Sequence, residues 1–278
     1  MGYFRSINRK KRNKRRLLII LLVILLMITF IFFLSKKIKI NKDYIAKVAF
    51  GYFFIDTKEI EIEPNIIKSE NKSTLSSDQI VYIYNTHDSE KYAYNKINEY
   101  NLDYNVTFAS QILKANLDDL GINTVVETSL VSDLLKKNNY AYSKSYEVSR
   151  LFLEQSIINY PTLKYFIDLH RDSAPYEVTT CIINDKKYAK VMFVIGLENQ
   201  NFEKNKELAS LINDKINEYN ECLSRGILEK KGEGVNGIYN QDFNENVILI
   251  EVGGLYNTIE EVGNSLDILA KAIKEVIL

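Results

Sequence analysis

Short apolar runs that end in polar residues recur along the chain from residue 79 onward, and amphipathic stretches separate them. Runs of this length read as buried strands, here over 79–85, 123–127, 163–169 and 247–252. Residues 177–183 and 188–195 read as a hairpin across Asn184-Asp185-Lys186-Lys187. Val106, Ala109, Ile112, Leu113 and Leu117 fall at helical spacing, and Gly121 stops that helix. A second helix is predicted over 145–159, ended by Pro161. A third is predicted over 203–223, with Leu208, Leu211, Ile212, Ile216 and Tyr219 inward. Thr258 and Glu261 make a capping-box pattern that opens the last helix. This alternation predicts an α/β three-layer sandwich with a largely parallel central sheet. The Gly-rich, charged stretch 224–239 reads as a surface loop near the site.

The N-terminal part has a different pattern. Leu17 to Leu34 is an apolar run of 18 residues broken only by Thr29, just long enough to span a bilayer core. Eight Lys/Arg residues precede it and Lys36, Lys37, Lys39 and Lys42 follow. The heavier positive cluster stays in the cytoplasm, so the expectation is a single-pass cell-membrane protein with its later residues outside. The run ends in Ser35-Lys36-Lys37 rather than in small residues suited to cleavage, which favours a retained anchor over a signal peptide. The expected organisation is a basic tail (1–16), an anchor (17–34), a membrane-proximal segment and linker (35–77), and a catalytic domain (78–278). Residues 48–55 fit either a short strand or a membrane-proximal helix.

The formal charge of zero conceals an asymmetry. Residues 1–42 carry twelve bases and no acid, leaving 24 bases against 36 acids, or −12, in the remainder. That acidity argues against a nucleic-acid partner. Cys181 and Cys222 make no disulfide framework; both a pair and two ordinary buried thiols fit the sequence, with the thiols favoured.

The candidate chemistry lies at three strand ends. Tyr84-Asn85-Thr86-His87-Asp88-Ser89-Glu90 and Ile167-Asp168-Leu169-His170-Arg171-Asp172 carry the only two histidines of the chain. Catalytic groups in α/β folds are presented at such carboxyl ends. Two imidazoles with carboxylates beside both make a candidate zinc site of His87, His170 and Glu90, with Asp103 and Asp172 less favoured. Glu90 alternatively orients His87 through its second nitrogen. Arg171 is open to two readings: a clamp on a substrate carboxylate, or an ion pair with Asp168 or Asp172. Glu251 ends the apolar strand Val247-Ile248-Leu249-Ile250. A carboxylate desolvated there has a raised pKa suited to a general base, and the alternatives are a pairing with Arg171 or a turn cap. Gly253-Gly254 beside it permits close approach of backbone to substrate. No P-loop, G-x-G-x-x-G or G-x-S-x-G occurs.

These segments resemble the stage II sporulation protein P family. The likeness rests on both histidine motifs, on Val191-Met192-Phe193-Val194-Ile195-Gly196, and on the run from Tyr239-Asn240-Gln241-Asp242 through Glu251-Val252-Gly253-Gly254 to Asn257-Thr258-Ile259-Glu260-Glu261. It covers roughly residues 79–278. The resemblance implies an amidase-like fold and a membrane-anchored, zinc-dependent N-acetylmuramoyl-L-alanine amidase acting on peptidoglycan. It also implies activity on some peptide cross-links and work in forespore engulfment with stage II sporulation proteins D and M. By motif, His87 and His170 match the metal histidines and Glu251 the catalytic glutamate. Asp88 stands where a small residue is expected, and Asn85 where the family often has a second histidine. The membrane-proximal part is short. A rival reading is a catalytically weak, membrane-tethered interaction protein on the same fold. A zinc peptidase acting on cross-links shares the same residues.

Overall fold

A computed structural model of the chain describes residues 79–93 and 104–278. The predicted tail 1–16, anchor 17–34, segment 35–77 with its element at 48–55, and the candidate Asp103 lie outside them. Among the described residues no helix is long and apolar enough to cross a membrane.

The fold is α/β, built on a six-stranded, mostly parallel sheet. In chain order the elements are β1 (Val81–Tyr84), α1 (Val106–Asp119), β2 (Thr124–Val126), α2 (Val131–Lys137), α3 (Ser145–Asn159) and β3 (Tyr165–Asp172). Then follow a helical turn α4 (Tyr176–Thr179), β4 (Thr180–Ile183), β5 (Lys186–Ala189), β6 (Val191–Gly196), α5 (Phe202–Tyr219), β7 (Ser224–Lys230), β8 (Val247–Gly254) and α6 (Ile259–Ile277). Strand order in the main sheet is β2-β1-β3-β8-β6-β7, and β4 with β5 forms a separate hairpin. The first four strands run parallel; β6 pairs antiparallel with β8 and parallel with β7.

The chain first winds outward from β1 to β2, then returns across β1 to β3. With right-handed crossovers that reversal places α1 on one face and α2 with α3 on the other. The crevice beyond the carboxyl ends of β1 and β3 is therefore the topological switch point, where open α/β sheets bind ligands. Successive strand residues point to opposite faces. Tyr82, Tyr84, Phe166 and Val247 thus share one face and pack against Leu153 of α3. On the other face α1 and α5 both pack beside α6.

Local signals explain the helix ends. The Asn105 side chain accepts from the Phe108 N–H to start α1, and Gly121 takes φ +84° just beyond its end. The capping box of Thr258 and Glu261 is formed, each side chain accepting the other's backbone N–H.

Four expectations are corrected. Residues 177–179 are helical, and the predicted strand 188–195 is two strands in different sheets. The break falls at Lys190, whose N–H donates to Thr179 O while its carbonyl accepts from Gly253 N. The predicted helix 203–223 stops at Tyr219, and Leu211 and Tyr219 are exposed. Residues 224–230 form the edge strand β7 rather than a loop. Finally, Cys181 and Cys222 are disulfide-bonded, tying the β4–β5 hairpin to the chain just before β7.

Candidate active site

His87 and Glu90 lie on one tight turn after β1, closed by the Glu90 N–H donating to His87 O at 3.0 Å. His170 lies near the end of β3, and Glu251 is its register partner on β8. Because β-strand side chains alternate, Asp168, His170, Leu249 and Glu251 all share the face that Phe166 and Val247 present to α3. The sheet therefore brings together all four of the predicted residues His87, Glu90, His170 and Glu251 at one edge.

The ring centroids of His87 and His170 are 5.3 Å apart. His170 Nδ1 is 3.5 Å from Glu90 Oε2, and its Nε2 is 2.9 Å from Asp168 Oδ1. The latter contact is too bent for a hydrogen bond, so Nε2 counts among the buried atoms without one, with His87 Nδ1 and Glu251 Oε2. Glu90 Oε2 also accepts from the Arg171 backbone N–H at 3.0 Å. Glu90 therefore sits against His170, not in the alternative role of orienting His87.

These residues fit a zinc ion. Two donors on one tetrahedral zinc stand about 3.4 Å apart, and the centroids of two imidazoles on it about 5 Å. The Glu90–His170 and His87–His170 separations match those values, and an unpartnered buried His87 Nδ1 is the group such an ion would satisfy. Among the described residues, however, no three His, Cys, Asp or Glu side chains are gathered tightly enough as they stand to hold an ion.

Electrostatics separate the groups. Burial pushes the pKa of His87 down and His170 adds to that, against the carboxylates of Asp168, Glu90 and Asp88. Burial also opposes a charge on His170, but Asp168 and Glu90 push its pKa well up. Burial pushes the Glu251 carboxyl up to about 7; His170 opposes this, and Glu90, Asp172 and Asp168 reinforce it. A carboxyl near neutrality suits a group that must take and return a proton.

Arg171 forms neither expected ion pair. Its Nε donates to Lys91 O and one terminal nitrogen to Asp172 O, so its guanidinium clasps backbone on both sides of the crevice. Asp172 instead pairs with Arg225 of β7 and accepts from Ala174 N. Gly253-Gly254 makes its close approaches within the protein. A Cβ on Gly253, at φ +67°, would lie 2.8 Å from Ala189 Cβ, and one on Gly254 3.0 Å from Ala174 O.

The two departures from the family pattern have local causes. Asp88 is buried and its carboxylate accepts from Ser132 N in the first turn of α2. Asn85 faces sideways, donating to Leu169 O at 2.6 Å and accepting from Ser110 at 3.0 Å, so it stitches β1 to β3 and α1.

Sequence reasoning missed the aromatic wall of the site. Tyr142, 62% exposed, stacks on His87 at 4.7 Å, and Tyr146 meets the same ring edge-on at 5.5 Å. Both precede or open α3 and carry no pattern linking them to a histidine 55 or more residues earlier. Asp168 did carry a signal. A carboxylate two residues before His170 on one strand must share its face.

The family model of stage II sporulation protein P matches residues 35–274. Stage II sporulation protein P of Bacillus subtilis (strain 168) is 32% identical over 228 residues, covering 78% of this chain and 57% of that protein. The chain thus spans little more than half the length of that relative. Among solved structures, Cwp6 from Clostridium difficile superposes with a TM-score of 0.46 at 17% identity, over 74% of this chain and 30% of that one. N-acetylmuramoyl-L-alanine amidase from Clostridium difficile 630 gives 0.42 at 18%, over 73% and 96%. A metallo-carboxypeptidase from Burkholderia cenocepacia gives 0.42 at 12%, over 75% and 59%.

Proposed function

The chain belongs to the stage II sporulation protein P family, and from that premise we propose that it is a zinc-dependent peptidoglycan hydrolase of sporulation. The bond assigned to it is the amide between N-acetylmuramic acid and L-alanine, with peptide cross-links as a further class. The observation that carries this reading is the cluster of buried His170 with half-buried His87 and Glu90, beside a Glu251 whose Oε2 has no partner.

His87, Glu90 and His170 would hold the zinc, which when bound supplies Lewis acidity to a carbonyl oxygen and to water. Glu251 takes the proton of the attacking water and returns it to the departing amine nitrogen. Its desolvated site places its affinity for that proton near neutral pH. Tyr142 and Tyr146 shield the His87 side of the crevice from bulk water. Arg171 has five N–H donors and uses two on backbone carbonyls. The others are assigned to a carboxylate of the stem peptide.

The proposal extends to the rest of the chain. Leu17–Leu34 anchors it in the cell membrane, the basic tail stays in the cytoplasm, and the hydrolase works outside. Stage II sporulation proteins D and M are the proposed partners.

The test is the purified full chain in detergent on intact sacculi, with zinc or with chelator, and mass spectrometry of released fragments. Free stem peptides and denuded glycan, lost with chelator, are expected. Shortened cross-links alone would replace the amidase by an endopeptidase. Release unaffected by chelator would remove the metal from the mechanism.

A further inference from the structure

Asp168 is wholly buried on the middle of β3, and its single carboxylate touches both halves of the site. Oδ1 accepts from the Thr86 backbone N–H at 2.9 Å and faces His170 Nε2 at 2.9 Å. Oδ2 accepts from Thr86 Oγ1 at 2.6 Å. Thr86 immediately precedes His87 and is itself buried, its hydroxyl also against Ser149 of α3 at 2.8 Å. Ser149 is in turn held by the Asn240 side chain at 3.0 Å. The turn bearing His87 and the strand bearing His170 are therefore tied through one side chain.

We infer that Asp168 is the positioning residue for both imidazoles: it sets His170 to bind metal through Nδ1 and holds the His87 turn beside it. The inference rests on the zinc reading proposed above. The geometry is directional. With Nε2 turned to Asp168, the other ring nitrogen of His170 faces Glu90 Oε2 at 3.5 Å, the spacing of two ligands on one ion. Asp168 stands behind the ring at 2.9 Å without a hydrogen bond of good geometry. A carboxylate so placed would accept the Nε2 proton and orient the ring once Nδ1 held metal, and losing such a partner typically costs 10–100-fold in metal affinity. Here the same carboxylate also governs the second histidine, so its removal acts on two ligands at once.

The presence of only two histidines makes the test direct. The full chain, with 15N-labelled histidine, is examined by two-bond proton–nitrogen correlation spectra with and without zinc. Zinc affinity is measured in parallel by competition with a chromophoric chelator. In the zinc-loaded wild type, one histidine is expected to carry its proton on Nε2 and its metal on Nδ1. Asp168→Asn should bind zinc about 10- to 100-fold more weakly. Thr86→Val keeps Asp168 opposite His170 and removes only the hydroxyl link, so it should lower affinity less while leaving the Nδ1-bound signature in place. That second variant keeps the inference testable where Asp168→Asn fails to fold. Metal on Nε2 of both histidines, or wild-type affinity in a folded Asp168→Asn protein, would overturn the inference alone. A wild-type chain that binds no zinc would overturn the metal reading and the inference together.

Discussion

His170 on β3 and Glu251 on β8 are register partners on adjacent parallel strands, with their side chains on the same face of the sheet. The pairing places a desolvated carboxyl beside an imidazole that faces two further carboxylates, Asp168 and Glu90. The two positions are 81 residues apart in the chain. One β-ladder therefore joins the proposed proton-transfer group to the proposed metal group, and the consequences are measurable.

Glu251→Gln keeps the shape and removes the basicity. Zinc affinity should stay within a few-fold of wild type, because Glu251 is not among the proposed ligands. Release of stem peptides from sacculi should fall by about 10²–10⁴-fold. Unchanged release would remove Glu251 from proton transfer.

The raised pKa of Glu251 has a stability consequence in metal-free protein. Its carboxyl titrates near 7 in the fold, against an ordinary value of 4.5. Between those values the folded state holds a proton that the unfolded state has lost, so stability falls as pH rises through that window. Above pH 7 the full cost is present, about 3 kcal/mol for the shift. Metal-free Glu251→Gln should therefore melt above metal-free wild type at pH 8, and the gap should close toward pH 4.5. Thermal denaturation in the presence of chelator reads both. An equal gap at the two pH values would show that burial does not hold this carboxyl up.

Gly253 occupies left-handed backbone at φ +67°, and an added Cβ would press on Ala189 and the Asn257 side chain. Asn257 accepts from Gly254 N and donates to Glu261, so the turn after Glu251 is coupled to the start of α6. Gly253→Ala should cost about 1–3 kcal/mol in denaturant unfolding. Hydrolysis should fall with it as Glu251 is displaced. A neutral effect on both would contradict the packing.

The disulfide between Cys181 and Cys222 closes a segment of 41 residues. Cys181→Ala with Cys222→Ala should lower stability by about 2–4 kcal/mol. The same loss is expected when wild type is reduced, and the double variant should be insensitive to reductant. A reductant effect that persists in the double variant would place its origin elsewhere.

The patterns within single elements were legible in the amino-acid sequence. Apolar runs marked the cores of β1, β3 and β8, and the spacing of Val106 to Leu117 marked α1. Thr258 with Glu261 marked the start of α6. These signals are local, because a strand core or a helix cap is decided by residues within one turn or one run. The candidate residues His87, Glu90, His170 and Glu251 were legible for the same reason: each is a polar residue at the end of such a run.

What only tertiary structure decided lies between elements. The split at Lys190 depends on Thr179 and Gly253 claiming its two backbone groups from different sheets. The pairing of Cys181 with Cys222 depends on where the hairpin folds back. Arg171 turned to backbone carbonyls because Asp168 was already engaged by Thr86 and Asp172 by Arg225. Tyr142 reached His87 only because α2 and α3 cover that face of the sheet. Chain composition names the groups available for a contact, but which partner each one takes is settled by competition among all the groups that the fold brings within reach.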